Sequence, residues 1–290
     1  ALLCAVCVFG LVPTQAFALS PGQKASSWLG DNYVGSDGQY YYAPAPYTYL
    51  VYHSDGTMDV KSSSGGSAYR HYMLTASDGS SQQVYCVESG VPYHTSENTY
   101  TSESGTNSNY LNLLPAEARR GITLTAIYGW KPGARLPVPG INEDDYKIAT
   151  QVILWEYQQQ LRSDPYSRHG NGHADANQYF SIIAGRPAEK AYNWILSQVA
   201  SHSTVPSFTS TRKSEAPELE LKWDTEKKIY TLTVTDTNNL NINLETVKGS
   251  GVSVSRSGNK YTFTSKNMIM DPVTFEFRKD IPVANDMLIW

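Results

Sequence analysis

The chain has 290 residues and a formal net charge of −4, with a sequence pI near 5.9. This length is enough for one or two domains with a buried core, and the charge excludes the basic surface expected of a nucleic-acid-binding protein. Only 17% of the residues are charged, and the sequence has no lysine- or arginine-rich run that would indicate an anionic membrane surface as a partner.

The first residues have the pattern of an export signal. Residues 1–12 are almost wholly apolar, and Ala16-Phe17-Ala18 has the small-x-small form of a signal-peptidase site. The apolar run is too short to span a bilayer. We therefore predict a signal peptide over residues 1–18, with its basic n-region missing. The mature chain is then expected to be secreted or on the cell surface, without membrane insertion.

Cysteine usage follows from this prediction. Cys4 and Cys7 lie in the predicted signal peptide, so Cys86 is the single cysteine of the mature chain. Exported domains usually use cysteines in pairs. A single cysteine therefore indicates an intermolecular bridge, a free thiol or some other covalent chemistry.

The region 19–209 is predicted to mix strands with a helical subdomain. Aromatic and β-branched residues predict strands within residues 39–53, and residues 82–87 predict a short strand that carries Cys86. Helix-start residues and apolar spacing predict three helices, over residues 115–128, 142–161 and 187–200.

The pattern changes near the end of this region. Residues 210–217 are predicted to be a linker, because the helical period disappears beyond them. Alternating apolar residues such as Tyr230, Leu232 and Val234, separated by glycine-containing turns, predict strands over residues 218–290. The expected fold is thus an α+β domain followed by a small all-β sandwich module.

Gln151 is the unusual residue of the second predicted helix. Ile148, Leu154 and Trp155 share its face, so its amide is expected to point into an apolar stripe. A buried amide without hydrogen-bond partners costs about 1–3 kcal/mol. The residue is therefore either a satisfied core glutamine or a functional group.

Cys86 is equally ambiguous when it is considered alone. Free cysteine is often buried as a small hydrophobic residue. On the predicted strand, Glu88 lies on the same face as Cys86, and a carboxylate beside a thiol disfavours the thiolate. Neither observation distinguishes a core residue from a reactive one.

Two segments together resemble a known family. Residues 84–90 (VYCVESG) resemble the Tyr-Cys-aliphatic-Glu-x-Gly strand of the exported thioester domains of Gram-positive surface proteins. Residues 149–156 (ATQVILWE) resemble the Thr-Gln-x-Ala helix of the same family. The similarity covers residues 19–208. Ile153 stands where the motif has Ala, and Ser89 stands where Pro is frequent.

The resemblance implies that the Cys86 sulfur attacks the Gln151 side-chain carbonyl, releasing ammonia and leaving an internal thioester. A lysine amine on a host or matrix protein would then attack the thioester and form an isopeptide bond. The implied protein is a single-turnover adhesin of the Gram-positive cell surface that needs no cofactor. Wall anchoring through a C-terminal region outside this chain, and further stalk domains, are expected in the intact protein.

Four neighbours are expected to support the pair. Glu88 is a candidate proton shuttle, although a salt bridge or a surface carboxylate would explain it equally well. Tyr85, Thr150 and Trp155 are adjacent members of the two motifs.

Two other functions stay open from the sequence. A cysteine hydrolase or transglutaminase-like enzyme would use Cys86 as nucleophile and His71, His94 or His202 as base, although such nucleophiles usually lie at a helix N-terminus. A structural stalk would use the thioester as a staple. The bond would close a loop of 65 residues, which by analogy with disulfides contributes about 4 kcal/mol.

No metal site and no second cross-link are predicted. His169 and His173 have the spacing of two ligands on a helix, but Gly170 and Gly172 oppose a helix there. Lys222 could pair with an asparagine such as Asn285 in an isopeptide bond, but no specific motif supports this.

Overall fold

The computed structural model describes residues 22, 24–76, 79–89, 96–101, 103–104, 108–210, 215–240, 242–277 and 288–289. The predicted signal peptide, His94, Asn285 and half of the predicted linker lie outside these residues. The chain divides into two compact units. One runs up to Ser201 and includes residues 288–289, and the other begins at His202.

The first unit begins with strands. Their bounds are β1 Lys24–Asn32, β2 Tyr47–Tyr52, β3 Met58–Ser63, β4 Arg70–Ala76, β5 Ser81–Val84, β6 Ser96–Thr101 and β7 Glu103–Ser104. Four of them form an antiparallel sheet in the order β5-β4-β1-β6, and β2 and β3 form a separate hairpin. The strand predicted within residues 39–53 is therefore confirmed at β2.

Three α-helices follow in the same unit: α1 Ala116–Tyr128, α2 Glu143–Gln158 and α3 Ala188–Ser201. The predicted N-cap Asn142 accepts a hydrogen bond from the Asp145 N–H, and the Asp145 side chain accepts one from the Asn142 N–H. This capping box satisfies donors that the first turn leaves open. The three helix predictions are confirmed, except that α2 ends at Gln158 and not near Leu161.

Helix α2 lies in the middle of the core. Its side chains are buried from Asp145 to Gln158, so the helix is buried on all sides and not only along the predicted apolar stripe. Gly121 of α1 makes the close approach possible, because a Cβ at this position would lie 2.1 Å from the Tyr157 ring. The glycine lowers the helix propensity of α1 but permits its contact with α2.

The prediction that Cys86 lies in a strand is wrong. Strand β5 ends at Val84, which pairs with Tyr72 near the start of β4, and Cys86 follows two residues later. Among the described residues, no strand pairs with the backbone groups of Cys86. A side chain of α2 takes over that role.

The second unit contains only strands as its longer elements among the described residues. These are β8 Lys222–Asp224, β9 Ile229–Thr235, β10 Leu244–Lys248, β11 Ser253–Ser257, β12 Lys260–Ser265 and β13 Thr274–Phe277. They form a four-stranded sheet in the order β11-β12-β9-β8 and a pair, β10-β13. Strand β14, Leu288–Ile289, belongs to the first unit, where it pairs with β7. The predicted β-rich content of this part of the chain is confirmed.

The core of the second unit is small. Val252, Tyr261 and Phe263 are its buried apolar residues. Phe208 packs on it, with its ring centroid 4.8 Å from that of Tyr261. In the described parts of both units, no helix is long and apolar enough to cross a membrane.

Candidate functional site

The side chain of Gln151 meets the backbone of Cys86. The Cys86 N–H donates to Gln151 Oε1 at 2.9 Å, and Gln151 Nε2 donates to the Cys86 carbonyl oxygen at 2.6 Å. Gln151 lies in the middle of α2 and is 1% exposed, while Cys86 is partly exposed. The structure thus brings together the two residues that the sequence analysis paired across 65 positions, and both polar groups of the buried amide are satisfied.

This contact has the form of half an oxyanion hole. When a nucleophile attacks a carboxamide carbon, negative charge develops on the carboxamide oxygen. Donors that stabilise such an oxygen lie about 2.7–3.1 Å from it. The Cys86 N–H already lies at this distance from Gln151 Oε1. The residue that carries the sulfur therefore also supplies a donor for the oxygen of its target.

The Cys86 thiol is held in its protonated form. Burial raises the pKa of this thiol to about 11, and the Glu88 carboxylate adds to the rise. The thiol donates to the Glu88 backbone oxygen over 3.2 Å. A hydrogen bond with the Glu88 backbone lowers the pKa, and the Trp155 indole lowers it further. A thiol with a raised pKa is a poor general nucleophile, so any reaction here depends on placement next to one partner.

Glu88 lies beside the sulfur with a half-buried carboxyl group. Burial raises the pKa of this carboxyl group above its usual value, and no ion pair to it is formed among the described residues. The salt-bridge explanation from the sequence therefore has no support here. A carboxylate near a reacting centre with a raised pKa is a candidate proton acceptor.

Trp155 lies one helical turn after Gln151 and is 3% exposed. Its ring packs against two tyrosines, with centroid distances of 5.1 Å to Tyr69 and 5.5 Å to Tyr179. Its indole N–H is buried, and within the described part of the chain it has no hydrogen-bond partner. The indole acts on the Cys86 sulfur without meeting full hydrogen-bond geometry. A buried donor left unpaired costs about 1–3 kcal/mol, so this position calls for an explanation.

Four tyrosines also lie in the neighbourhood of the sulfur. Burial is the main cause that raises the pKa of each phenol, and the nearby Cys86 contributes; they are Tyr47, Tyr69, Tyr110 and Tyr179. With Trp155 they make the wall around Cys86 largely aromatic. Such a wall limits the access of water to a reactive bond.

Tyr85 and Thr150 fix the two segments against a third. The Tyr85 hydroxyl donates to the Trp130 carbonyl oxygen at 2.9 Å. Thr150 Oγ1 accepts from the Trp130 N–H at 2.9 Å and donates to the Tyr146 carbonyl oxygen at 2.8 Å. The residue before each member of the pair is thus tied to Trp130, which holds the Cys86 segment in register with α2.

Further residues that hold the turn after Cys86 were not identified from the sequence. The Tyr110 hydroxyl donates to the Val87 carbonyl oxygen at 3.0 Å and accepts from Gln158 Nε2 at 2.9 Å. The hydroxyls of Ser89 and Tyr179 share a hydrogen bond. These residues are separated in sequence by 20 positions or more from their partners, and no local pattern marks them.

The histidines proposed for a hydrolase are placed elsewhere. Both ring nitrogens of His71 are engaged, one 2.8 Å from Gln83 Oε1 and the other 3.2 Å from Asp144 Oδ1. His94 lies outside the described residues, and His202 belongs to the other compact unit. With no histidine acting on the sulfur in the described region and the pKa of the thiol raised, the hydrolase alternative is disfavoured.

His169 and His173 lie in an irregular segment between α2 and α3, as the glycines between them predict. Within the residues that the structure describes, no group of three or more His, Cys, Asp or Glu side chains is placed to hold a metal ion.

Comparison with known proteins adds a family assignment. No curated protein matches the chain. Among solved structures, the thioester domain of the Staphylococcus aureus TIE protein aligns with 15% identity over 89% of this chain and 88% of that chain, at a TM-score of 0.33. A likeness of that size contributes nothing to the assignment.

The family model described as the thioester domain matches residues 83–201. The match contains both Cys86 and Gln151 and ends with helix α3. The resemblance to the thioester domain family is therefore confirmed over these residues.

Proposed function

We propose that this protein is a cell-surface adhesin that captures a partner through an internal thioester between Cys86 and Gln151. The single observation that carries the proposal is the paired contact of the Gln151 carboxamide with the Cys86 backbone, at 2.9 and 2.6 Å. A buried glutamine docked on the only cysteine of the predicted mature chain is what the reaction requires.

The first step is an acyl transfer within the chain. The Cys86 sulfur bonds to the Gln151 side-chain carbon, the carbon–nitrogen bond breaks, and the thiol proton leaves with the nitrogen as ammonia. An amide is a poor electrophile, so the fold must supply placement and stabilisation of the oxyanion. The Cys86 N–H is suited to stabilise the oxyanion because it already donates to Gln151 Oε1.

The second step is capture of an amine. A neutral lysine amine attacks the thioester carbon, the carbon–sulfur bond breaks, and a proton passes from the nitrogen to the sulfur. Glu88 is the proposed proton shuttle, since its half-buried carboxyl group lies beside Cys86. Because Gln151 is 1% exposed and Cys86 is partly exposed, the amine approaches from the Cys86 side.

The wider setting is part of the same proposal. We propose export through a signal peptide over residues 1–18, a thioester domain over 19–209, a linker over 210–217 and a β-sandwich module over 218–290. The contact of Phe208 with Tyr261 favours a boundary somewhat before residue 208. The partner is a host or matrix protein with an accessible lysine, and each molecule reacts once.

Intact-mass spectrometry tests the proposal directly. The mature protein is expected to be lighter than its sequence by one ammonia, whereas Cys86→Ala and Gln151→Ala retain their full masses. Methylamine should then add to the wild-type protein at Gln151 and restore a free thiol at Cys86. Finding the full sequence mass in freshly purified wild type would reject the mechanism.

The same treatment separates capture from a purely structural staple. A thioester sealed from solvent would show the ammonia loss but resist methylamine in the folded protein. The burial of Gln151 is the observation that keeps this alternative in the test.

A further inference from the structure

The sulfur loses its hydrogen bond when it reacts. In the structure the Cys86 thiol donates to the Glu88 backbone oxygen at 3.2 Å. A thiolate has no proton to donate. Its negative charge would therefore face the partial negative charge of that carbonyl oxygen. Both proposed steps pass through a sulfur with thiolate character, as attacking group in the first and as leaving group in the second.

One buried donor near this sulfur, the Trp155 indole N–H, has no partner at full hydrogen-bond geometry among the described residues. Trp155 follows Gln151 by four positions on α2, so both side chains leave the same face of the helix. Tyr69 and Tyr179 both pack against its ring and restrain its orientation. Its N–H is buried and unpaired within the described part of the chain.

We propose that the Trp155 indole N–H stabilises the negative charge on the Cys86 sulfur during both steps. This inference rests on the proposed function. It divides the work between two donors: the Cys86 N–H serves the Gln151 oxygen, and the indole N–H serves the sulfur. A weak contact in the thiol state that strengthens as charge develops favours the transition state over the ground state. The indole also lowers the pKa of the thiol, which is the direction expected of a group that stabilises the thiolate.

The chain contains a matched control in Trp130. Its indole N–H is also buried without a partner in the described residues, and its ring lies 4.5 Å from Lys147 Nζ. Trp155→Phe and Trp130→Phe thus each remove one buried, unpaired N–H from the same core and keep an aromatic ring. Only the first is expected to affect the sulfur.

The kinetic test compares these two variants with wild type. Trp155→Phe is expected to slow methylamine capture about tenfold, the lower range for a hydrogen bond to a charged group. Trp130→Phe keeps the backbone contacts of residue 130 with Tyr85 and Thr150 and is expected to match wild type. Equal rates in the two variants would overturn the proposal.

A second measurement needs neither of the two tryptophan variants and does not depend on the thioester. In Gln151→Ala the thiol stays free, and the Trp155 indole N–H resonance is followed by NMR as the pH is raised toward the pKa of the thiol, about 11. The resonance is expected to move with the thiol, whereas that of Trp130 stays fixed. Contacts to the Tyr69 and Tyr179 ring protons assign the Trp155 signal.

Groups other than the thiol that titrate near the sulfur could also move the Trp155 resonance, so a control variant is needed. Glu88 and four tyrosines also face the sulfur; the tyrosines are Tyr47, Tyr69, Tyr110 and Tyr179. The double variant Cys86→Ala/Gln151→Ala keeps them all, so a movement that persists there comes from these groups and overturns the assignment to the sulfur. Because the titration does not use the thioester, its result is independent of whether wild type loses ammonia.

Discussion

Helix α2 and the segment after it make the same glutamine–backbone contact at three places, and only one of the three backbone partners carries a sulfur. Gln151 pairs with the backbone of Cys86 through both carboxamide atoms. Gln159, just beyond the end of the helix, pairs in the same way with the backbone of Leu50 on β2. Gln178 repeats the contact with Thr48, at 2.9 and 2.7 Å.

The contact between a glutamine and the backbone has a structural origin. Thr48 and Leu50 are two residues apart on β2, so their N–H and C=O groups point to the same edge of the strand. That edge has no neighbouring strand among the described residues, and the two glutamines fill it. Gln151 does the same for Cys86 after β5 ends. A glutamine docked on backbone is therefore a fold device of this protein, and the chemistry comes from what surrounds one copy of it.

The largest expected difference is in reactivity. Gln151→Ala should abolish ammonia loss and methylamine incorporation, because it removes the electrophile. Gln159→Ala should retain both in full, since its carboxamide meets Leu50 and no sulfur. Intact mass before and after methylamine measures both outcomes. If Gln159→Ala also lost amine incorporation while remaining folded, the two sites could not be separated as we describe.

Glu88 should control the rate of capture. Glu88→Gln is expected to slow methylamine attack on a preformed thioester by about 100-fold at neutral pH, the lower range for loss of a general base. Burial raises the pKa of the carboxyl group, and only its ionised form accepts a proton. The wild-type rate should therefore fall toward that of the variant as the pH drops through this raised pKa.

The control is Glu143→Gln, a change at an exposed carboxylate in the first turn of α2. It should leave the rate and its pH dependence unchanged. A Glu88→Gln profile that overlays the wild type would remove Glu88 from the mechanism.

The stability effect should be smaller and similar at the two sites. Gln159→Ala leaves the Leu50 N–H and C=O without partners and removes the contact with Gln158. We expect a loss of about 2 kcal/mol, in the range for buried groups left unpaired. Gln151→Ala should cost a similar amount when compared with Cys86→Ala, which keeps the contact but cannot form the bond. Urea unfolding of the three variants measures these differences, and an unchanged midpoint for Gln159→Ala would contradict the structural role.

The sequence predicted the pairing of Cys86 with Gln151 but not the pairing of Gln159 with Leu50. Asn142 and the acidic residues after it were sufficient to predict where α2 begins, because capping is local. The Cys86–Gln151 pair came from motif resemblance. The end of β5 could not be predicted, since the partner of the Cys86 backbone is a side chain 65 residues away. For the same reason, nothing local marked Gln159 as the partner of Leu50.

A cysteine placed opposite Gln159 tests whether the contact alone suffices. Leu50→Cys, made in a Cys86→Ala background, puts a sulfur on the residue whose backbone Gln159 already holds. We expect no ammonia loss. Gln159 Nε2 donates to both Leu50 O and Gln158 Oε1, so its nitrogen is held on two sides, and an indole donor like that of Trp155 is expected to act only at Cys86. The same variant with Gln159→Ala is the mass reference. Ammonia loss from Leu50→Cys would mean that paired backbone contacts are sufficient for thioester formation, and the donor to the sulfur would then be unnecessary.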